Sequence, residues 1–278
     1  MAINLASKFE TKTSELLKAR KKSEGFTNQD WSWDGVNAIN VYTLTDPTMG
    51  NYDKTAAANR YGNASEVEDT KQTFTLTRDR SWTKIIDKAN YQDTMMIRKP
   101  GKYLAQATKN VLTPEIDTYI FTTIHTAGDT AARDDITTDA DVTAANAYVN
   151  FLAINADITN NEGVEEGRIA AMTASYYNFL KQSGFVLDSE IGQKDLKSGN
   201  LGTVDGVKIV VVPSSRLVTN NALIISHPSV CVAPEKLVDY TLHKNPAGIS
   251  GDLLEYRHRY DAFIDNNKVK QIGLHMTA

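Results

Sequence analysis

The sequence predicts a mixed α+β protein with two long extensions. Three observations predict this class. Residues 254–264 alternate between apolar and polar, apolar residues recur at helical spacing over 104–124, and a polar segment (45–73) separates two strand-like runs. Strands and helices that pack together in layers define an α+β architecture. The extensions are the polar segment and the N-terminal region.

Composition places the chain among ordinary globular proteins. It has 278 residues, of which 41% are hydrophobic and 23% charged, a length that allows one elaborate domain or two smaller ones. The net charge of −4 does not suit a protein that neutralises nucleic acid. No apolar run approaches the roughly 18 residues that span a bilayer, and no secretory signal is expected. The single cysteine, Cys231, excludes an internal disulfide framework and is expected to be a buried structural thiol.

Residues 1–38 are predicted to form an extended arm with one helix. Ser7 and Glu10 have the spacing of a capping box, and Gly25 could end the helix. A thin apolar stripe lies on one side of the helix, so the helix is expected to rest on another surface. The stripe and the two tryptophans that follow it comprise Phe9, Leu16, Leu17, Trp31 and Trp33.

Residues 39–88 are predicted to form a long hairpin with a polar tip. The strand-like run 39–44 precedes the polar segment, and a second run, 74–82, follows it. In the second run, Phe74 and Leu76 alternate with threonines. Connections usually have about four to six residues, and those beyond roughly 15 are uncommon unless functional or disordered. A connection of this length therefore needs a function.

Helical spacing continues from residue 100 to about residue 128. Thr113, Pro114 and Glu115 have the pattern of a helix start, and isoleucines follow at a spacing of four until Gly128, which is expected to end the helix. The pattern fits one long helix kinked at Pro114 or two helices in succession. Next, an acidic loop (128–141) lacks the ligand spacing of an EF-hand, so no metal site is expected.

The second half is predicted to contain two helices and several strands. An apolar repeat predicts a helix over 142–156; its residues are Val142, Ala145, Val149, Leu152 and Ala156. Residues 174–184 favour another helix. Asp205-Gly206 predicts a hairpin turn, and residues 207–212 predict a buried central strand. One face of the final strands is expected to be buried; its residues are Leu254, Tyr256, His258, Tyr260, Ala262 and Ile264.

Motifs of catalysis are scarce. The sequence has no glycine-rich phosphate loop and no G-x-S-x-G nucleophile elbow. His227 and Cys231 lie four residues apart, but Pro228 favours an extended segment there instead of a helix. His258 is expected to be a hydrogen-bonded core residue. We therefore expect no catalytic residue, no metal and no cofactor, and we interpret the two extensions as binding elements that a neighbouring subunit orders.

Several segments, in order, resemble the major capsid proteins of tailed bacteriophages with the Hong Kong 97 fold. Residues 1–38 resemble the N-terminal arm of that family, and 39–88 resemble its extended loop. "VLTPEIDTYIFTTI" is similar to the end of its spine helix, with "PEID" before an aromatic residue. "GTVDGVKIVVVPSSRL" is similar to an axial-domain segment that ends in "VPSSR". "ALIISHPSVCVAPEKL" and "EYRHRYDAFIDNNKVKQIGL", which contains Tyr260-Asp261, are similar to the closing strands.

The resemblance implies domains, partners and contact residues. Residues 89–130 and 240–278 would form the peripheral domain, and 131–239 the axial domain. Copies would assemble as pentamers and hexamers into an icosahedral shell around double-stranded DNA, with portal and scaffolding proteins as partners and the virion as the location. The extended-loop contacts between subunits would be Met49, Tyr52, Lys54, Tyr61, Arg78 and Arg80. The arm contacts would be Phe9, Leu16, Leu17, Trp31 and Trp33.

Two other functions fit the same features. An encapsulin-type compartment has the same fold but houses a cargo enzyme. A soluble enzyme could instead use residues 45–71 as a lid over an active site. Some members of the capsid family also join subunits through Lys–Asn isopeptide bonds; Lys54 and either Asn266 or Asn267 are the conceivable pair here, although lysines on polar loops are common.

Overall fold

The computed structural model describes residues 21–31, 37–93, 100–130, 141–183 and 202–277. The described helices are α1 Lys88–Asp93, α2 Pro100–Ala107, α3 Thr113–Thr130, α4 Ala147–Asn160 and α5 Ala174–Gln182. The described strands are β1 Thr27–Asn28, β2 Ala38–Leu44, β3 Asp69–Thr75, β4 Asp79–Asp87, β5 Ile169–Met172, β6 Thr203–Val204, β7 Val207–Val211, β8 Asn221–Ser226, β9 Cys231–Val232, β10 Glu235–Lys244, β11 Gly251–Tyr260, β12 Phe263–Ile264 and β13 Gly273–Met276. Helices and strands are both abundant, which confirms the predicted α+β class.

The described strands form four sheets. A five-stranded sheet has the order β13-β8-β5-β7-β6, with β5 and β7 parallel and the other neighbours antiparallel. A three-stranded antiparallel sheet has the order β10-β11-β4. The short strands β1, β9 and β12 form a third sheet, and β2 pairs with β3 in a hairpin. The main core lies on the five-stranded sheet, against α3, α4 and α5.

The buried centre of the large sheet consists of β5, whose four residues are all buried, and its neighbour β8. All six residues of β8 are buried, whereas Ile209 to Val211 of β7 are only half-buried. The prediction of a buried central strand over 207–212 was therefore wrong in degree, because β7 has only the two-residue β6 on its outer side. The turn between these two strands was predicted correctly. Asp205 and Gly206 have φ values of 50° and 74°, as a type I′ turn requires.

The long helical segment is continuous from residue 100 to residue 130. A π-helical turn, Thr108–Leu112, joins α2 to α3 directly before Pro114, and Thr113 donates its N–H to the Thr108 carbonyl. The helix passes the expected end at Gly128 and ends at Thr130, and the glycine instead allows close packing. A β-carbon at Gly128 would lie 2.8 Å from Ile272 and 2.9 Å from Leu274.

Helix α4 begins later and buries a different face than predicted. It spans Ala147–Asn160 and buries Phe151, Ile154 and Ile158, while Val149 of the predicted stripe is 62% exposed. Both stripes have helical spacing, but the observed face carries the larger side chains and therefore removes more apolar area from water. The spacing alone did not distinguish the two faces.

The predicted strand over 74–82 is two strands in two different sheets. Strand β3 ends at Thr75 and belongs to the hairpin, whereas β4 begins at Asp79 and pairs with β11. The connection, residues 76–78, is where the chain leaves one sheet for the other. Phe74 and Leu76 are buried, as the period-two pattern predicted.

Much of the predicted arm lies outside the described residues, including Phe9, Leu16, Leu17 and Trp33. Gly25, the expected end of the arm helix, lies within a 3-10 turn, Glu24–Phe26. The Phe26 side chain is fully buried and meets Phe121 of α3 edge to face, with ring centres 5.4 Å apart. The chain is therefore anchored to the core at Phe26, within the predicted arm.

Candidate interaction site: the long hairpin and its base

The long hairpin comprises residues 38–75, and its tip comprises residues 45–68. Strands β2 and β3 pair in register from Ala38–Thr75 to Leu44–Asp69. Side chains along β2 alternate between exposed and half-buried, and β2 and β3 have no other strand partner within the described residues. The hairpin is therefore a two-stranded ribbon with little of its own surface in the core.

The tip has local structure made by its polar residues. The Asp53 carboxylate accepts hydrogen bonds from the Thr55 hydroxyl at 2.6 Å and the Thr55 amide at 2.8 Å. These bonds lower the pKa of Asp53. Asp53 also donates its amide to the Arg60 carbonyl at 3.0 Å, which closes the tip loop. Asn59 and Gly62 have positive φ values, as tight turns require.

Large apolar side chains are exposed at the tip. Met49 and Tyr61 are each 92% exposed, and Tyr52 is exposed beside Tyr61, with ring centres 4.9 Å apart. Lys54 is also exposed. Clusters of exposed apolar residues on a soluble protein commonly mark interaction sites. The tip therefore has the chemistry of a binding surface.

The base of the hairpin is held by Asp261, which directly follows β11. One carboxylate oxygen accepts from the Thr77 amide at 2.7 Å and the Thr77 hydroxyl at 3.0 Å. The other accepts from the Tyr119 hydroxyl of α3 at 2.5 Å and from the Ala262 amide at 2.9 Å. Burial and the bond to Asp261 raise the pKa of Tyr119 to about 12. The Asp261 carboxylate thus joins residues 76–78 to helix α3 and to the closing strands.

A small apolar cluster packs beside this base. It contains the buried Phe74 and Leu76, with Ile39, Val41 and Phe263 against them. Trp31 stacks on the Phe74 ring with centres 4.9 Å apart. The structure thus places Trp31, an expected contact between subunits, against the hairpin of its own chain.

The two arginines of the predicted site also make contacts within the chain. The Arg78 guanidinium lies 4.1 Å from the centre of the Tyr119 ring. Arg80 donates to the Glu115 carboxylate at 2.6 Å. Both bring the hairpin base against the start of α3, so the structure groups them with Asp261 and not with the tip. A role between subunits for Arg78, Arg80 and Trp31 stays a prediction.

A second buried carboxylate, Asp117 of α3, holds residues 22 and 23 of the predicted arm. It accepts from the Lys22 amide at 2.9 Å and from the Ser23 hydroxyl at 2.7 Å. Arg216 donates to the same group at 2.7 Å, and both partners of this ion pair are buried. Asp117 thus joins residues 22 and 23 of the arm, helix α3 and the turn that follows β7.

Asp117, Arg216 and Asp261 were not among the predicted site residues. Each nevertheless lies in a segment that carried the family resemblance, namely "PEID", "VPSSR" and the Tyr260-Asp261 pair. Those segments could have pointed to them as buried partners. The sequence alone does not show which distant groups they bind, because each partner lies on another element.

The remaining candidates are structural residues. Cys231 is fully buried, and burial raises the pKa of its thiol to about 12, as expected for a structural cysteine. His258 is buried as predicted, but neither ring nitrogen has a hydrogen-bond partner in the part of the chain that is described, so the expected hydrogen-bonded histidine was wrong. No group of three or more His, Cys, Asp or Glu side chains within the described ranges could hold a metal ion. No helix within those ranges is both long and apolar enough to span a bilayer.

Solved structures of phage proteins share this fold over nearly the whole chain. The chain is 17% identical to a structure from Mycobacterium phage Che8, with a TM-score of 0.77 over 98% of this chain and 96% of that chain. It is 13% identical to the capsid structure of Cyanophage P-SCSP1u, with a TM-score of 0.77 over 99% and 93% of the two chains. It is 14% identical to the mature capsid of bacteriophage PhiM1, with a TM-score of 0.74 over 99% and 92%.

No model of a known protein family and no curated protein matches the sequence. The structural likeness nevertheless covers at least 98% of this chain and at least 93% of the two phage chains. The chain therefore has the fold of phage capsid proteins. The Hong Kong 97 subtype and the boundaries of its subdomains stay predictions.

Proposed function

We propose that this chain is the major capsid protein of a tailed phage and that its copies assemble into the virion shell. The observation that carries the proposal is the coverage of more than nine-tenths of both chains in the match to two phage capsid structures. A shared enzyme domain inside unrelated larger proteins would not give such coverage. The role is structural, and its mechanism is binding between copies.

The hairpin supplies the contacts that the proposal needs. Stable protein interfaces bury about 1,600 Å² in total. A ribbon with Met49, Tyr52 and Tyr61 exposed at its tip can lie across a neighbouring copy and add to the area that the compact part buries. Lys54 at the same tip would contact the neighbour through its charge. Contacts of this head-to-tail kind close into rings when the rotation between copies allows it.

The base of the hairpin supports the same role. Asp261 and Arg78 hold residues 76–78 against α3, so the ribbon leaves the chain at a fixed place. An arm that is already held in place before it meets its partner loses less conformational entropy on binding. We therefore assign the tip to binding and the base to positioning.

The proposal extends to the other components of the virion. The shell would enclose double-stranded DNA without reading its sequence, and the net charge of −4 keeps the wall from binding the genome tightly. Portal and scaffolding proteins would be the partners during assembly in the host cytoplasm. We also retain residues 1–38 as the arm, 39–88 as the extended loop, 89–130 with 240–278 as the peripheral domain and 131–239 as the axial domain.

Sedimentation and electron microscopy of the full chain test the proposal. We expect closed particles of many copies, formed either by the chain alone or together with the other head proteins of its phage. A species of one or a few chains under all of these conditions would contradict the proposal. The content of the particles separates it from the compartment function: nuclease-protected DNA supports a phage head, whereas one enriched enzyme supports a cargo compartment.

A further inference from the structure

The sulfur-containing side chains of the described residues differ sharply in exposure. Met172 and Cys231 are fully buried in the main core, and Met276 of β13 is half-buried. Met49, at the tip of the long hairpin, is 92% exposed. Among the sulfur atoms in the ranges that the structure describes, the Met49 thioether is therefore the one that a dissolved small molecule reaches freely.

The surroundings of Met49 leave its side chain open to solvent. A β-carbon placed on the next residue, Gly50, would meet no heavy atom within 4 Å. The loop that closes the tip begins further along the chain, where the Asp53 amide donates to the Arg60 carbonyl. Met49 precedes that closed loop, so a reagent can reach its sulfur without any opening of the tip.

Cys231, the only cysteine of the chain, does not compete for an oxidant. Its side chain has no exposed surface, and burial raises the pKa of its thiol to about 12, so the reactive thiolate is scarce at neutral pH. Oxidation of a cysteine depends on its thiolate character and its exposure. A thioether does not ionise, so exposure decides which methionine reacts. A mild oxidant should therefore modify Met49 before the buried sulfur atoms.

The oxidant is a peroxide, and the products of the reaction are the sulfoxide and water. The lone pair of the Met49 sulfur attacks one peroxide oxygen, the O–O bond breaks and an S=O bond forms. The sulfur loses two electrons, and the second oxygen of the peroxide accepts them and leaves as water with both protons. Methionine sulfoxide reductases reverse the modification with electrons from thiols.

The sulfoxide changes the chemistry of the hairpin tip. Methionine is apolar and adapts to irregular surfaces, whereas its sulfoxide is polar and carries a hydrogen-bond acceptor. Met49 shares the tip with the exposed Tyr52 and Tyr61, which the proposed function places against a neighbouring copy. Burying the new oxygen without a donor is unfavourable, and the thioether carries no such penalty. The oxidised tip should therefore bind a neighbour less tightly.

We propose that Met49 is a reversible oxidation site and that its sulfoxide weakens the contact between copies. The inference rests on the proposed function, because the modification affects assembly only if the tip binds a neighbour. Unassembled subunits should gain one oxygen at Met49 in the presence of peroxide. Assembly should protect the same residue, because the neighbouring copy then covers it.

Hydrogen peroxide acting on the purified full chain tests the site. Unassembled subunits and assembled particles are treated, the peroxide is removed with catalase, and peptide mapping by mass spectrometry follows oxygen uptake at each methionine. We expect Met49 of free subunits to react at least several-fold faster than Met172, and several-fold faster than Met49 in particles. Equal rates for Met49 and Met172, or equal rates for Met49 in the two states, would overturn the proposal.

Assembly of the treated subunits, alone or with the other head proteins of the phage, tests the effect on binding. Each protein is compared with its own untreated sample, so a change in basal assembly does not enter the comparison. Peroxide should lower the particle yield of the wild type several-fold, and a methionine sulfoxide reductase should restore it. The yield of Met49→Leu should not respond to peroxide. Met276→Leu is the matched control: Met276 lies in β13, away from the tip, so this variant should respond as the wild type does.

The outcomes separate this inference from the proposed function. If untreated subunits form no particles under any condition, the proposed function fails and the inference fails with it. If particles form equally well from subunits with and without the Met49 sulfoxide, the inference fails and the proposed function stands. A peroxide-dependent loss in Met49→Leu equal to that of the wild type would assign the effect to another residue and would also overturn the inference.

Discussion

At the scale of single residues, the Asp261 carboxylate carries more connections than any side chain of the predicted site. It binds Thr77 at the hairpin base and Tyr119 on α3, and so links parts of the chain that are 184 and 142 residues away in sequence. These hydrogen bonds are partly buried. If the acceptor is removed, the donors left behind are unsatisfied, and the folded state is destabilised because water reaches them only in part. This carboxylate therefore helps to fix the position of the hairpin, together with Arg78, Arg80 and the apolar cluster at the base.

Replacing Asp261 by Asn should destabilise the chain by about 1–3 kcal/mol, because an amide nitrogen would face a donor on one side. Urea unfolding of the purified variant measures the loss. Asp79→Asn is the matched control: Asp79 pairs with Arg257 on an exposed sheet face, where such pairs contribute about 0–1 kcal/mol. Equal losses in the two variants would show that Asp261 has no special role at the base.

His258 gives the chain a sensitivity to acid. Burial lowers the pKa of its imidazole below the ordinary value of 6.5. The unfolded chain therefore binds a proton at a higher pH than the folded chain does. By linkage, stability is unaffected well above pH 6.5 and falls as the pH drops below that value.

We expect the free energy of unfolding to decrease when the pH is lowered from about 7.5 to about 5. His258→Phe should make this decrease smaller but should not remove it, since burial also lowers the pKa of His125. Urea titrations at several pH values measure the slope for both proteins. Identical slopes would mean that His258 does not titrate with folding.

At the scale of elements, the long hairpin was predictable from sequence, but its attachment was not. Alternation over Phe74 and Leu76 and the long polar connection are local patterns, so they identified the ribbon and its tip. The break at residues 76–78 leaves no local signal, because β4 is as strand-like as β3 and differs only in its partner. The pairing of β4 with β11 depends on tertiary contacts, which an alternating pattern of apolar and polar residues does not encode.

Helix α4 shows the same limit. Two apolar stripes share the helix, and the choice between them depends on which side chains meet β13 and α5. Gly128 is a related example, since its lack of a side chain serves close packing against Ile272 instead of ending the helix. Local sequence patterns predicted where the helices and strands lie. Which face of a helix is buried depends on the neighbouring elements, so the sequence pattern alone did not predict it.

Deleting Met49–Ala64 should leave the subunit folded but impair assembly. The deleted residues contribute no member of either buried cluster, so the loss of unfolding free energy should be small. Unfolding curves measure the first outcome, and sedimentation measures the second.

A triple variant with Met49, Tyr52 and Tyr61 changed to Ser keeps the length of the tip and serves as the comparison. If it fails to assemble as the deletion does, apolar contacts account for the role of the tip. Normal particles from the deletion variant would show that the tip is not an assembly element.

At the scale of the whole molecule, Asp117 joins regions that no single sheet connects. Residue Ser23 of the arm, helix α3 and the turn after β7 meet at this carboxylate, and its partner Arg216 is also buried. A buried ion pair contributes little net stability when intact, but a single charge left without its partner is costly. The pair therefore specifies how these three regions fit together.

Asp117→Ala should cost about 3–5 kcal/mol, because it leaves the buried Arg216 charge without this partner. The double variant Asp117→Leu with Arg216→Leu should be less destabilised than Asp117→Ala, since neither charge then remains. Thermal unfolding of the three proteins compares them. A double variant at least as destabilised as Asp117→Ala would show that the unpaired Arg216 charge does not account for the loss.

The three-residue connection at the hairpin base also has a mechanical consequence. The seven paired residues of each strand form a beam roughly 23 Å long at about 3.3 Å per residue. A rotation of about 10° at residues 76–78 would move the far end of that beam by roughly 4 Å, nearly the spacing between neighbouring strands. In the proposed shell, the angular stiffness of the Asp261 pivot would therefore set how much curvature the lattice tolerates before the ends of these beams lose register with neighbouring copies.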